Sequence, residues 1–174
     1  MSQSNIRTRI ALLAALSLIT GQAAAQGNVL ATFGDTCIAS GTSYDKAMDA
    51  VNARKPTRLP DDPSDAARGP AATTTWMLGG ATPVLVTLNQ RGYCAVMADA
   101  SEEAGLQSQL AAFMAGLKDK PAIERKDARS PPGAEVLAFW EVDWSPELAM
   151  YVRLVKGSAD GVEGVMVSRA FVAK

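Results

Sequence analysis

Two cysteines, Cys37 and Cys94, constrain this fold more than any other feature of the sequence. They are the only thiols in the chain, so only one intrachain pairing exists. The N-terminus indicates the compartment in which they pair. Arg7 and Arg9 form a positive segment, residues 10–19 are an apolar run, and Ala23-Ala24-Ala25 precedes Gln26. This is the order of an export signal cleaved near Ala25, and the apolar run is too short for a bilayer core of roughly 30 Å. Export delivers the thiols to an oxidising compartment, where one disulfide is expected. It would close a loop of about 58 residues, for which chain-entropy bookkeeping gives about 4 kcal/mol. A redox role is the weaker reading. The cysteines form no Cys-x-x-Cys, and with no histidine in the chain no imidazole can activate a thiolate.

The missing histidine excludes more. Neither a Ser-His-Asp nor a Cys-His nucleophile can be built, nor any imidazole metal site. No cofactor and no metal is expected. With Arg7 and Arg9 cleaved, 15 basic residues face 18 acidic ones, a net charge of −3. That surface is poorly suited to nucleic-acid phosphates. No other stretch approaches 18 consecutive apolar residues, so no stable membrane insertion is expected after cleavage. The expectation is a signal peptide at 1–25 and one domain at 26–174, periplasmic or secreted.

Hydrophobic patterning gives the element order. Residues 26–36 form a short apolar lead-in to Cys37. Thr42 or Ser43 can cap a helix to about Ala53, with Tyr44, Ala47, Met48 and Val51 on one stripe. Residues 56–72 carry four prolines and form a long loop. Thr73–Leu78, Val84–Asn89 and Tyr93–Asp99 read as strands, the last two joined as a bulged hairpin through Gln90-Arg91-Gly92. A helix then starts at Ser101 and carries Leu106, Leu110, Phe113, Met114 and Leu117 on one face until Pro121. Beyond it lie a weak strand at 123–127 and three good ones at 135–144, 148–155 and 164–172. The fold class is α+β: a mostly antiparallel sheet of about six strands with two helices and one disulfide.

Candidate chemistry is sparse. Ser43-Tyr44-Asp45-Lys46 matches the S-x-x-K pattern of penicillin-recognising serine enzymes, but S-D-N and K-T-G are missing and a helix cap explains it better. Asp61, Asp62 and Asp65 lack the spacing of a calcium loop. Glu141 and Asp143 alternate on one strand, as paired hydrolytic carboxylates could. The most informative place is the hairpin 135–155. With its turn centred near Ser145-Pro146, Trp140 falls opposite Tyr151. Trp140, Trp144, Tyr151 and Arg153 then share one face, which is either a second core layer covered by the helix at 43–53 or the proline loop, the favoured reading, or a candidate ligand surface for sugar rings or peptides. The other parity, with Leu137, Phe139, Met150, Val152 and Leu154, would face the helix. A one-residue slip in register exchanges the two sets.

Cys37 before a helix, Trp76 after a variable loop, and a hairpin bearing Cys94-Ala95-Val96 before an amphipathic helix make up a layout with a precedent. It resembles a family of small exported Gram-negative envelope proteins, some of them lipoproteins, with no assigned activity. The likeness spans roughly residues 35–120. It implies export and a disulfide-bonded α+β domain, and it supplies no catalytic residues. The resulting expectation is a non-catalytic exported module that binds an envelope protein or glycan. Two alternatives stand beside it: a small hydrolase using Glu141, Asp143 or the Ser43–Lys46 pair, and an inhibitor that inserts the proline loop into a secreted enzyme.

Overall fold

The computed structural model describes residues 29–61, 69, 71–79, 83–130, 133–159 and 162–174. The segment expected to be an export signal, residues 1–25, and residues 62–68 and 70 of the proline loop lie outside them. Among the described residues, no helix is long and apolar enough to cross a membrane.

Eight strands form one antiparallel sheet: β1 (Thr57–Arg58), β2 (Thr74–Leu78), β3 (Val84–Leu88), β4 (Cys94–Asp99), β5 (Ala122–Glu124), β6 (Ala134–Ser145), β7 (Leu148–Ala159) and β8 (Val162–Ala173). Their spatial order is β1-β2-β3-β4-β8-β7-β6-β5. Two meanders therefore meet where β4 pairs with β8, and the chain crosses from central β4 to edge strand β5 on a helix. Three helices accompany the sheet: α1 over residues 29–38, α2 (Tyr44–Asn52) and α3 (Leu106–Ala115), with a one-turn 3-10 segment at Ala100–Glu103.

The α+β class, the antiparallel pairing and the Cys37–Cys94 disulfide match the sequence reading. The element count does not: the sheet has eight strands rather than about six, and there are three helices rather than two. β1 is a two-residue edge piece inside the segment read as the proline loop, below the length at which alternation can be read, whereas the three-residue edge strand β5 stands where a weak strand is expected at 123–127. The additional helix is the lead-in to Cys37. Its last six residues, Phe33–Ile38, wind as a π-helix, with Ala39 N–H donating to Gly34 O at 2.9 Å. Phe33, Thr36 and Cys37 are buried. Gly34 gives α1 room against α3, since a Cβ there would come within 3.3 Å of the Phe113 ring.

The helix read from Ser101 divides in two. Gly105 adopts φ +84°, a left-handed conformation that glycine takes without steric cost, and it separates the 3-10 turn from α3. Asp99 caps the turn, accepting from Ser101 N–H at 2.9 Å. That hydrogen bond is the main reason its carboxyl is held below the usual range. The β3–β4 hairpin forms as expected. Asn89 Oδ1 accepts from the Arg91 and Tyr93 amides, and Gly92 supplies the positive φ of 82°.

The helices pack on one face of the sheet. Phe33, Val51, Leu106, Leu110 and Met114 form a single core with Val86, Val96, Trp140, Val152, Leu154 and Val167. No described element covers the opposite face.

Candidate functional site

The hairpin β6–β7 decides which residues reach that uncovered face. An irregularity between Asp143 and Ser145 inserts one extra residue beside the turn. Trp140 therefore pairs with Val152, and Tyr151 with Glu141. The register expected from a turn centred at Ser145-Pro146 is off by one, and the proposed ligand surface splits. Trp140 faces the helices and is buried. Trp144 also faces inward, half-buried, with its ring 5.4 Å from that of Phe171. Lys120 lies over the same indole at 4.3 Å and donates to Trp144 O at 2.6 Å. Tyr151 and Arg153 remain on the outer face. Phe139, assigned to the core by sequence parity, joins them there.

Cross-strand neighbours make this outer cluster compact. The Phe139 and Tyr151 rings are 5.4 Å apart, and the Arg153 guanidinium sits 5.0 Å from the Phe139 ring. Phe139 pairs with Arg153, and Arg153 pairs with Ser168 on β8. Tyr93 extends from the hairpin turn just before β4, its hydroxyl 3.7 Å from Met166 Sδ. Burial among these neighbours raises the Tyr93 phenol above its ordinary value, against smaller downward effects from Ser168 and Arg153. Arg153 has no carboxylate within ion-pair distance among the described residues. Arg125, on the same side, is bridged to Asp127 at 3.3 Å and to Glu141 at 3.2 Å. The surface therefore presents stacked aromatic area and one uncompensated positive charge.

The other candidates resolve as structural groups. Ser43 Oγ accepts from Lys46 N–H at 3.3 Å, which is helix capping, and the Lys46 side chain is solvent-facing. Glu141 is paired with Arg125, and Asp143 with Lys174. Asp61 pairs with Arg58 at 2.6 Å, while Asp62 and Asp65 fall outside the described residues. Cys37 and Cys94 are joined, with Cα atoms 5.5 Å apart, and no free cysteine exists.

Two features escaped the sequence reading. Arg169 is 2% exposed on the inner face of β8, opposite Cys94. Its guanidinium donates to Cys37 O at 2.7 Å, Gly92 O at 2.6 Å and Ser40 Oγ at 3.1 Å, and it stacks 4.6 Å from the Phe171 ring. Burial pushes its pKa down to about 10, which leaves it charged at neutral pH. A single cation interrupting the alternation Val165, Val167, Arg169, Phe171 was the signal available for it. The second feature is a cleft of about 460 Å³ between α3 and the β5–β6 edge. It joins residues of α3 and the turn before it to residues of β5 and β6 that lie 13 or more positions away, and no local pattern marks it.

The chain matches no protein-family model, no curated protein and no solved structure.

Proposed function

We propose that this chain is an exported, non-catalytic module that binds a protein of the cell envelope through the helix-free face of its sheet. One observation carries the reading: Arg153 is stacked on Phe139 beside Tyr151 with no carboxylate in reach among the described residues. Arginine and aromatic side chains are those that most often anchor protein interfaces. The complementary partner is a segment that offers an apolar side chain to the rings and a carboxylate to Arg153. The export signal and the resemblance to envelope proteins supply the setting, and the disulfide fits it.

The experiment is capture from envelope extract on the immobilised mature protein, run beside Arg153→Glu and read by mass spectrometry. The reading expects a partner held by the wild type, released by salt and lost with Arg153→Glu. Identical capture by both proteins would refute it. So would catalytic turnover of envelope peptides or glycans that a single carboxylate substitution abolishes.

A further inference from the structure

The cleft beneath α3 is separate from the outer face and has its own chemistry. Glu103, Gly105, Gln107, Ser108 and Ala111 form one wall, and Glu124, Leu137 and Trp140 the other. At about 460 Å³ it falls within the size range of small-ligand sites. Trp140 is 4% exposed and lines this cleft. Its indole N–H, the only polar group of that side chain, has no acceptor among the described residues. The one buried side-chain polar atom without a partner among the described residues is Thr36 Oγ1, so the Trp140 N–H keeps contact with solvent and is free to meet a ligand.

The remaining polar groups mostly offer acceptors. Ser108 donates its hydroxyl hydrogen to Gly105 O at 2.9 Å, which leaves the oxygen free to accept. The Gln107 amide nitrogen donates to Leu137 O at 3.1 Å, which leaves the amide oxygen free. Glu103 is neutralised by Lys156 at 2.8 Å. Glu124, which pairs with Trp140 across the β5–β6 ladder, has no cationic partner among the described residues. A matching ligand supplies several donors, one positive charge to Glu124 and one oxygen acceptor to the Trp140 N–H.

We infer that the cleft is a binding site for an amine-bearing sugar unit. A protonated amino sugar provides the ammonium, the hydroxyl donors and the ether or hydroxyl oxygen on one ring. This does not rest on the outer-face reading, since no residue is shared between the two surfaces.

The probe is the glucosamine disaccharide with free amines, titrated into the mature protein while tryptophan fluorescence is recorded. Its N-acetylated and neutral glucose counterparts serve as comparisons. Saturable binding with a change in indole emission is expected, with the free amine favoured about tenfold over both comparisons, as suits a hydrogen bond to a charged group. Glu124→Gln, at an exposed position, should erase that preference while leaving the thermal midpoint unchanged. Trp140→Phe keeps an aromatic ring and removes the donor, and, followed by titration calorimetry, should weaken all three sugars together. No saturable binding at millimolar disaccharide, equal affinity for the three sugars, or an unaltered preference in Glu124→Gln would each overturn the inference.

Discussion

Replacing Arg169 by alanine should be among the most damaging single substitutions in this protein. The guanidinium joins three separate pieces of chain: the end of α1 through Cys37 O, the following turn through Ser40 Oγ, and the β3–β4 hairpin through Gly92 O. Its position at the C-terminal end of α1 also places positive charge where helix carbonyls are unsatisfied. Alanine leaves these acceptors without their donor and removes the stem packed on Phe171. Removing one partner from a buried charged network costs about 3–5 kcal/mol, a large share of a typical 5–15 kcal/mol total. With a urea dependence of roughly 2 kcal/mol per molar, the midpoint should fall by about 2 M. Equilibrium urea unfolding of the oxidised protein, followed by tryptophan fluorescence, is the assay. Arg169→Lys should lose about half as much, because one ammonium cannot reach acceptors on three segments. Arg169→Met, which restores bulk but no donor, should remain well below the wild type. A loss under 1 kcal/mol for alanine, or wild-type stability for methionine, would refute the account of Arg169 as the tie between α1 and the sheet.

Reducing Cys37–Cys94, or replacing both residues by serine, should cost about 4 kcal/mol in the same urea assay, and an unchanged midpoint would remove the disulfide from the account. The Tyr93 phenol should ionise above pH 10 in an alkaline absorbance titration, in a phase that Tyr93→Phe deletes. Folding keeps that phenol neutral, so stability should begin to fall as pH rises past its ordinary value of 10. Ser43→Ala should cost about 1 kcal/mol through the lost cap, whereas Lys46→Met should be close to neutral; equal damage from both would reopen the Ser-Lys reading.

The sequence shows elements long enough to display a period, and little else. The helix at Tyr44–Asn52 and strands β2–β4 and β6–β8 stand within a few residues of where alternation and capping put them. The outer face was misjudged for one physical reason. Side-chain direction in a strand has a period of two, so the extra residue between Asp143 and Ser145 reverses the assignments from Asp143 back to Ala138 relative to β7, until a second irregularity between Val136 and Ala138 restores the register. Trp140 thereby exchanged places with Phe139. Nothing within Asp143-Trp144-Ser145-Pro146 announces that irregularity, because it depends on how the turn closes. Arg169 was overlooked because its three acceptors lie 77 or more residues away. The cleft under α3 depends likewise on a crossover that brings Glu124 beside the helix, a contact written into the topology rather than into any local motif.

Hydroxyl-radical footprinting of the protein tests most directly whether one side of the sheet is left open. Phe139 and Tyr151 are half-buried and Met77 is 38% exposed on the outer side, whereas Met114 and Met150, at 1% and 0%, lie beneath the helices. Oxidation of Phe139, Tyr151 and Met77 with Met114 and Met150 spared is the expected pattern. Protected Phe139 and Tyr151 together with oxidised Met150 would place the helices on the other side and contradict the proposed binding face.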